Sequence, residues 1–244
     1  MFREIDRLKA RLDALRPLDS WVVKSLQDDL VVRWTYHSNA IEGNTLTLLE
    51  TKVVLENGIT VGGKTLREHF EAINHREAIY YVQDIIQNHE PLSEWQIRCI
   101  HQLILKNIDD ESAGHYRTVN VAISGASHTP PDCTLLTEKM AQLLDWYHAR
   151  ANTVHPIETA AKLHADFVGI HPFIDGNGRT SRLLMNLELM QSGYLPCIIT
   201  VDHRLKYYEA LDAWTAKSET QPFIKLVADA QMEAFKQYQR LLGF

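Results

Sequence analysis

The stretch HPFIDGNGRTSR, residues 171–182, decides how this chain is read. Its glycines, Gly176 and Gly178, permit unusual backbone angles and the close approach of a ligand. A helical pattern follows at once, with Leu183, Leu184, Leu187 and Met190 on the apolar side. The first N–H groups of such a helix lack intrahelical partners, so the segment predicts an anion site suited to a phosphate. Arg179 and Arg182 are three apart and share one helical face, which Asn186 continues. Asp175 is a hard oxygen ligand of the kind Mg²⁺ takes beside nucleotide phosphates. His171 is the group in the run that exchanges a proton near neutral pH. These parts belong together in phosphoryl-type transfer, which needs cationic and N–H donors, a metal ligand and a base for a hydroxyl. Taken singly, the histidine is a loop residue, the Gly-Asn-Gly a turn and the arginines a solvated face. Their conjunction is what points to chemistry.

Outward from this loop the chain reads as a succession of helices. Asp19-Ser20 caps one carrying Val23, Leu26, Leu30, Trp34 and Ile41, and Gly43 stops it. Thr47 and Glu50, Thr65 and Glu68, and Ser93 and Gln96 form capping boxes for the next three. Leu136, Met140, Leu143, Leu144 and Tyr147 mark a fifth, and Pro156 suits the first turn of a sixth. A seventh starts near Asn177 and ends at Gly193, and two more fill residues 202–244. Ile59 to Leu66, around Gly62-Gly63, and Val119 to Pro131 read instead as small β-hairpins. The expected fold is mainly α with small hairpins, in a single domain over residues 1–244. Residues 1–60 would form amino-terminal helices, and a core would span about 90–230.

Composition sets the outer limits. Lys plus Arg is 25 against 31 for Asp plus Glu, a net charge of −6. No global positive field exists to gather nucleic acid, so none is expected as a partner. No run of about 20 apolar residues is present, so no membrane association is expected. The charged start MFREIDRLKARLDALRP does not read as a signal peptide, and Cys99, Cys133 and Cys197 suggest neither a disulfide framework nor a CxxC zinc site. A reducing cytoplasm is the simplest expected compartment. Gly58 to Thr65 fits the phosphate-loop pattern GxxxxGK(S/T) letter for letter. Such a loop works between a buried parallel strand and a helix, whereas a capping box and helical spacing precede it here. Lys64 is therefore expected on a surface turn.

HPFIDGNGRTSR matches the Fic motif, HxFx(D/E)GNGRxxR, at every fixed position, and the chain resembles the Fic domain family over about residues 90–230. Residues 115–131 look like the segment with the Fic flap, and Tyr207-Tyr208 like the later segment that contacts the nucleotide base. The family pattern would place Asn near position 215, where this chain has Thr215. The resemblance implies a Fic-type helical bundle that transfers AMP from ATP, with Mg²⁺, to a Ser, Thr or Tyr hydroxyl of a target protein. It implies that His171 is the base and that Asp175 holds Mg²⁺. Gly176, Asn177, Gly178, Arg179, Arg182, Tyr207 and Tyr208 would bind the nucleotide. Val121, Ala122, Ile123 and Ser124 of the flap would dock the target. Gly178 stands where related kinases of the Doc type carry Lys.

Ser38-Asn-Ala-Ile-Glu42-Gly43 resembles the Fic inhibitory motif, (S/T)xxxE(G/N), placed ahead of the core as in the subclass with an amino-terminal inhibitory helix. The resemblance implies that Ser38 and Glu42 engage Arg182 and keep the γ-phosphate from seating. An AMP-removing hydrolase and a non-catalytic nucleotide-binding module are the alternative functions; the intact His171 and Asp175 argue against the latter. Expected partners are ATP and a protein hydroxyl, with room for a homo-oligomer.

Overall fold

The computed structural model describes residues 2–149 and 153–243. Residues 1, 150–152 and 244, which the single-domain expectation included, lie outside the described residues. Among the described residues there are ten α-helices: α1 (Arg3–Ala14), α2 (Ser20–Ile41), α3 (Leu48–Asn57), α4 (Leu66–Gln87), α5 (Glu94–Leu105), α6 (Leu136–Ala149), α7 (Pro156–Ile170), α8 (Asn177–Gln191), α9 (Arg204–Lys217) and α10 (Gln221–Leu242). Their starts are chemically marked. Asp19 accepts from Trp21 N and Val22 N, and Thr47, Thr65 and Ser93 each form a complete capping box.

Helix α1 falls in the stretch 1–60 expected to form amino-terminal helices, and its Ile5, Leu8 and Leu12 keep helical spacing and are buried, with α10 packed against the helix. One feature differs from expectation. The two β-hairpins do not form: no strand occurs among the described residues. Each segment keeps only its turn, closed by Lys64 N to Val61 O and by Ala126 N to Ile123 O. A hairpin needs two flanks that pair. Here the chain after Lys64 is taken by the Thr65 cap of α4, and the residues after Ala126 are held by Asp212 and Gly169 instead.

Helix α8 lies at the centre. It is buried on all sides and packs along α7, to which the 171–176 loop joins it. One core cluster joins α1, α7, α8, α9 and α10 through residues such as Leu8, Met185, Tyr207 and Phe235. A second joins α2, α4, α5, α6, α7 and α8 through Trp34, Ile79, Ile97, Met140, Phe167 and Leu184. Each such side chain contributes about 1.5–3 kcal/mol on burial. The 171–176 loop is therefore held between two packed cores. Trp34, Ser38 and Ile41, four and three residues apart on α2, are all buried. The face that anchors α2 thus also carries Ser38 onto α8, with Glu42 just beyond the helix end.

Candidate active site

The site is built at the junction of α7 and α8. His171 ends α7 in the left-handed region, at φ 51° and ψ 57°. This sharp exit turns the imidazole off the helix axis. Its Nδ1 lies 3.3 Å from the Val168 carbonyl, an arrangement that puts the proton on Nδ1 and leaves Nε2 as the basic nitrogen. Burial pushes its pKa below the ordinary value and the Arg117 charge adds to that; the Val168 bond, Glu42 and Asp175 oppose it.

The loop between the helices is fixed by its own side chains. Asn177 Oδ1 accepts from Phe173 N at 3.0 Å and its Nδ2 donates to Phe173 O at 2.9 Å. The Asn177 side chain is thus a clamp, and only its backbone N–H remains for an anion. Gly176 has φ 76°, and a Cβ there would meet His101 Nε2 at 3.1 Å. His101 in turn donates from Nε2 to Asp175 O at 2.9 Å and accepts at Nδ1 from Gly114 N at 2.9 Å. Burial holds its pKa down at about 4, so the ring is neutral in this tautomer. Nothing in local spacing singled out His101.

The cradle at the α8 amino end is occupied by a carboxylate of the protein itself. A Cβ on Gly178 would collide with Glu42 Oε1 and come within 3.1 Å of Arg182 Nη1. Arg182 Nη2 donates to Glu42 Oε1 at 2.7 Å and to Ser38 O at 2.8 Å, and its Nε donates to Ser38 Oγ at 3.0 Å. The Arg182 side chain is 3% exposed and that of Glu42 33%. Ser38, Glu42, Gly178 and Arg182, read from two separate motifs, therefore come together. Asp175 lies alongside. Burial alone would raise its pKa, but Arg179, the Gly176 N–H at 2.6 Å and Arg67 hold it below the ordinary value. The carboxylate is ionised at neutral pH.

Other predicted residues fall less simply. Tyr207 is buried, and its hydroxyl accepts from Arg182 Nη1 at 3.1 Å and lies 3.1 Å from His164 Nε2. It supports the guanidinium from behind. Tyr208 is partly exposed and donates to Ile41 O, beside Glu42. Arg179 is buried against Asp175 and Glu71. Asn186 is remote from the loop; it clamps the Cys197 backbone through both its amide atoms. Thr215 turns its hydroxyl onto Leu211 O. Lys64 donates to Thr45 O and sits on the turn between α3 and α4, which has no sheet beside it.

The flap residues Val121 to Ser124 run past the loop, with Ala122 and Ser124 exposed. Arg117 bolts this segment down. It is 3% exposed, and donates to His171 O at 2.9 Å, Val119 O at 2.8 Å and Pro131 O at 2.6 Å. Sequence reasoning missed Arg117 because two of its three partners, Pro131 and His171, lie 14 and 54 residues away.

A helical domain whose central hairpin presents a histidine, a carboxylate and a glycine-flanked helix start has the framework of Fic-type proteins. A sequence profile described as the Fic/DOC family matches residues 91–189. The "Protein adenylyltransferase Fic" of Nematostella vectensis is 39% identical over 230 residues, 93% of this chain and 53% of that protein. The solved structure of Fic-1 from C. elegans superposes with a TM-score of 0.89 at 32% identity, covering 99% of this chain and 72% of that one. A Fic domain containing signaling protein from Bacteroides thetaiotaomicron gives 0.89 at 28% identity, covering 95% and 94%. The chain belongs to the Fic/DOC family. It spans about half the length of the curated relatives it matches.

Proposed function

We propose that the chain is an autoinhibited protein adenylyltransferase, which moves AMP from ATP to a Ser, Thr or Tyr hydroxyl of a target protein and releases pyrophosphate. One observation carries this reading: the Glu42 carboxylate rests on Gly178 and Arg182, an anion placed where the α8 amino end favours a phosphate. The names of the relatives support the activity.

In this reading His171 Nε2 takes the proton of the target hydroxyl. The hydroxyl oxygen bonds to the α-phosphorus, the bond from that phosphorus to the oxygen bridging to the β-phosphate breaks, and pyrophosphate leaves. The N–H groups of Asn177 and Gly178 receive the phosphate oxygens, while Gly176, whose N–H is held by Asp175 Oδ1, shapes the turn that presents them, and Arg182 receives the γ-phosphate once Glu42 withdraws. Arg179 steadies Asp175 and the loop. Tyr207 orients Arg182, and Tyr208 borders the nucleotide. The Val121 to Ser124 backbone has no strand partner among the described residues, and it aligns a target segment by backbone pairing.

Among the described residues no group of three or more His, Cys, Asp or Glu is assembled to hold a metal. A single ionised Asp175 suits Mg²⁺, which needs only one or two carboxylates when phosphates complete its shell. Bound there, Mg²⁺ would neutralise charge on the phosphates.

The Glu42 carboxylate stands at the α8 start that closes the His171 loop, where a carboxylate also suits the positioning of a water, and this placement favours hydrolytic removal of AMP from a modified protein as a second reading. Incubation with α-labelled and, separately, γ-labelled ATP tests the main one. Protein labelled from the α position only is the expected result. Label from γ only would make the chain a kinase, and release of AMP from an adenylylated protein without any labelling would favour the hydrolase.

A further inference from the structure

Four charged side chains close a ring beside the loop. Arg67, on α4, donates from Nη2 to Asp175 Oδ2 at 2.6 Å and from Nε to Glu71 Oε1 at 3.2 Å. Arg179, on α8, reaches Asp175 Oδ1 at 3.0 Å from Nη2 and Glu71 Oε1 at 3.5 Å from Nη1. The two guanidiniums thus bridge the same two carboxylates. Glu71 Oε2 accepts from Asn44 Nδ2 at 2.8 Å, which ties the ring to the turn just after Glu42.

The two arginines are physically unlike. The Arg179 side chain is 2% exposed, whereas that of Arg67 is 55% exposed. The two oxygens of Asp175 are unlike as well. Oδ1 is held inward by Arg179 and by the Gly176 N–H, and Oδ2 takes only Arg67 among the described residues. Arg67 is a surface side chain lying on the one outward oxygen of the carboxylate.

We propose that Arg67 is a positioning residue that guards the cation site. It holds Asp175 Oδ2 before nucleotide arrives, and it yields that oxygen to the divalent cation that comes with the phosphates. The inference rests on the reading of Asp175 given under the proposed function. A guanidinium and a divalent cation on one oxygen repel each other, so both do not hold it at once. Arg67 can leave at small cost, because its Nε keeps Glu71 and its other end is met by water. The device is separate from the Glu42 contact. Glu42 governs the phosphate side through Arg182; Arg67 governs the cation side through Asp175.

The test is the affinity of the imido analogue of ATP, measured by calorimetry over a series of free Mg²⁺ concentrations. Wild type, Arg67→Gln and Arg67→Lys are compared, and each is also measured in excess chelator. The half-saturating Mg²⁺ concentration is expected to fall about two- to fivefold in Arg67→Gln, the equilibrium worth of an exposed ion pair. Arg67→Lys is expected to lie between, and affinity in chelator to stay unchanged. A merely structural role would move thermal stability without moving the Mg²⁺ dependence. An unchanged Mg²⁺ dependence would overturn this inference alone. Weaker binding in chelator would make Arg67 a phosphate ligand and overturn it too. Failure of wild type to bind the analogue at any Mg²⁺ concentration would overturn the nucleotide-site reading and this inference with it.

Discussion

Arg182 donates to Glu42 Oε1 at 2.7 Å although 140 residues separate them in the chain. The same guanidinium is held by Ser38 and Tyr207, so four of its contacts come from outside its own helix. Removing Glu42 therefore does not leave Arg182 bare. It does free the donor that points at the Gly178 cradle. Glu42→Gly is expected to raise adenylylation of itself and of lysate proteins above wild type. It is also expected to lose ~1–3 kcal/mol of stability, less than a fully buried pair because Glu42 is a third exposed. Saturating ATP should restore more thermal stability to this variant than to wild type. Labelling and melting curves check both, and labelling no higher than wild type would return Glu42 to a helix end or a hydrolytic residue.

Lys64 supplies a contrast between the two phosphate-like motifs. It ties the α3–α4 turn to Thr45; the start of α4 that follows it is closed by its own Thr65–Glu68 capping box, and no sheet stands beside it among the described residues. Lys64→Ala is expected to leave ATP affinity unchanged, while Arg182→Ala weakens or misplaces ATP. Calorimetry showing the reverse would move the nucleotide to the turn.

Arg117 makes a prediction about targets rather than nucleotides. Its three bonds join both ends of the flap to His171 O. Arg117→Ala removes three hydrogen bonds from a buried guanidinium to part-buried carbonyls, at about 1–3 kcal/mol, and unfastens the segment proposed to align the target. Transfer to protein is expected to fall well over tenfold, with ATP affinity reduced by less than threefold. Equal losses in the two measurements would mean that Arg117 supports the loop only.

How far the sequence could be read follows from these cases. His171, Asp175, Gly176, Gly178 and Arg182 lie within one run, so their chemistry was visible together. The helix starts were visible because a cap is local: Thr65 and Glu68 satisfy each other within one turn. Arg67, Glu71, His101 and Arg117 were not visible, since each acts through partners far off in the chain. Tyr207 was visible as a residue of the site but not as a prop for Arg182, because its burial depends on the packing of α9 against α7. The hairpin readings failed for a tertiary reason too. Glycines mark a turn, but a strand needs a neighbour.

The interior histidines predict how the fold responds to acid. Burial holds His75 and His164 well below the ordinary value of 6.5 and His101 at about 4; it also lowers the half-buried His37 to about 4, with Arg33 adding to it. The unfolded chain binds protons at these sites near pH 6.5, and the folded chain does not. Stability is therefore full above about 6.5 and falls as the pH drops towards 4. Each of the three interior rings contributes up to ~1.4 kcal/mol per pH unit in that window, and His37 less. Calorimetric melting between pH 8 and pH 5 should show a steady decline below 6.5. A flat melting temperature there would mean that these rings are charged in the fold.

His171 carries the last prediction, because the Glu42 charge acts on its titration. Transfer needs the neutral ring, and the rate should rise with pH through the His171 pKa and then level off. Burial places that pKa below the ordinary 6.5, so the acid limb should lie below 6.5 and the plateau should include pH 7. Glu42 opposes this shift by favouring the charged imidazolium. Glu42→Gly should therefore do two things at once: raise the plateau and move the acid limb to lower pH. Asp175 acts on His171 in the same sense, so loss of either carboxylate should move the limb the same way. His171→Ala, alone or with Glu42→Gly, should lower transfer about 10²–10⁴-fold at every pH while retaining ATP binding, since the variant lacks the proposed base and leaves Arg182 untouched. Measuring pH–rate profiles of the four proteins separates the outcomes. An acid limb that moves to higher pH on removal of Glu42, or undiminished transfer in His171→Ala at equal folded concentration, would assign the base to another group.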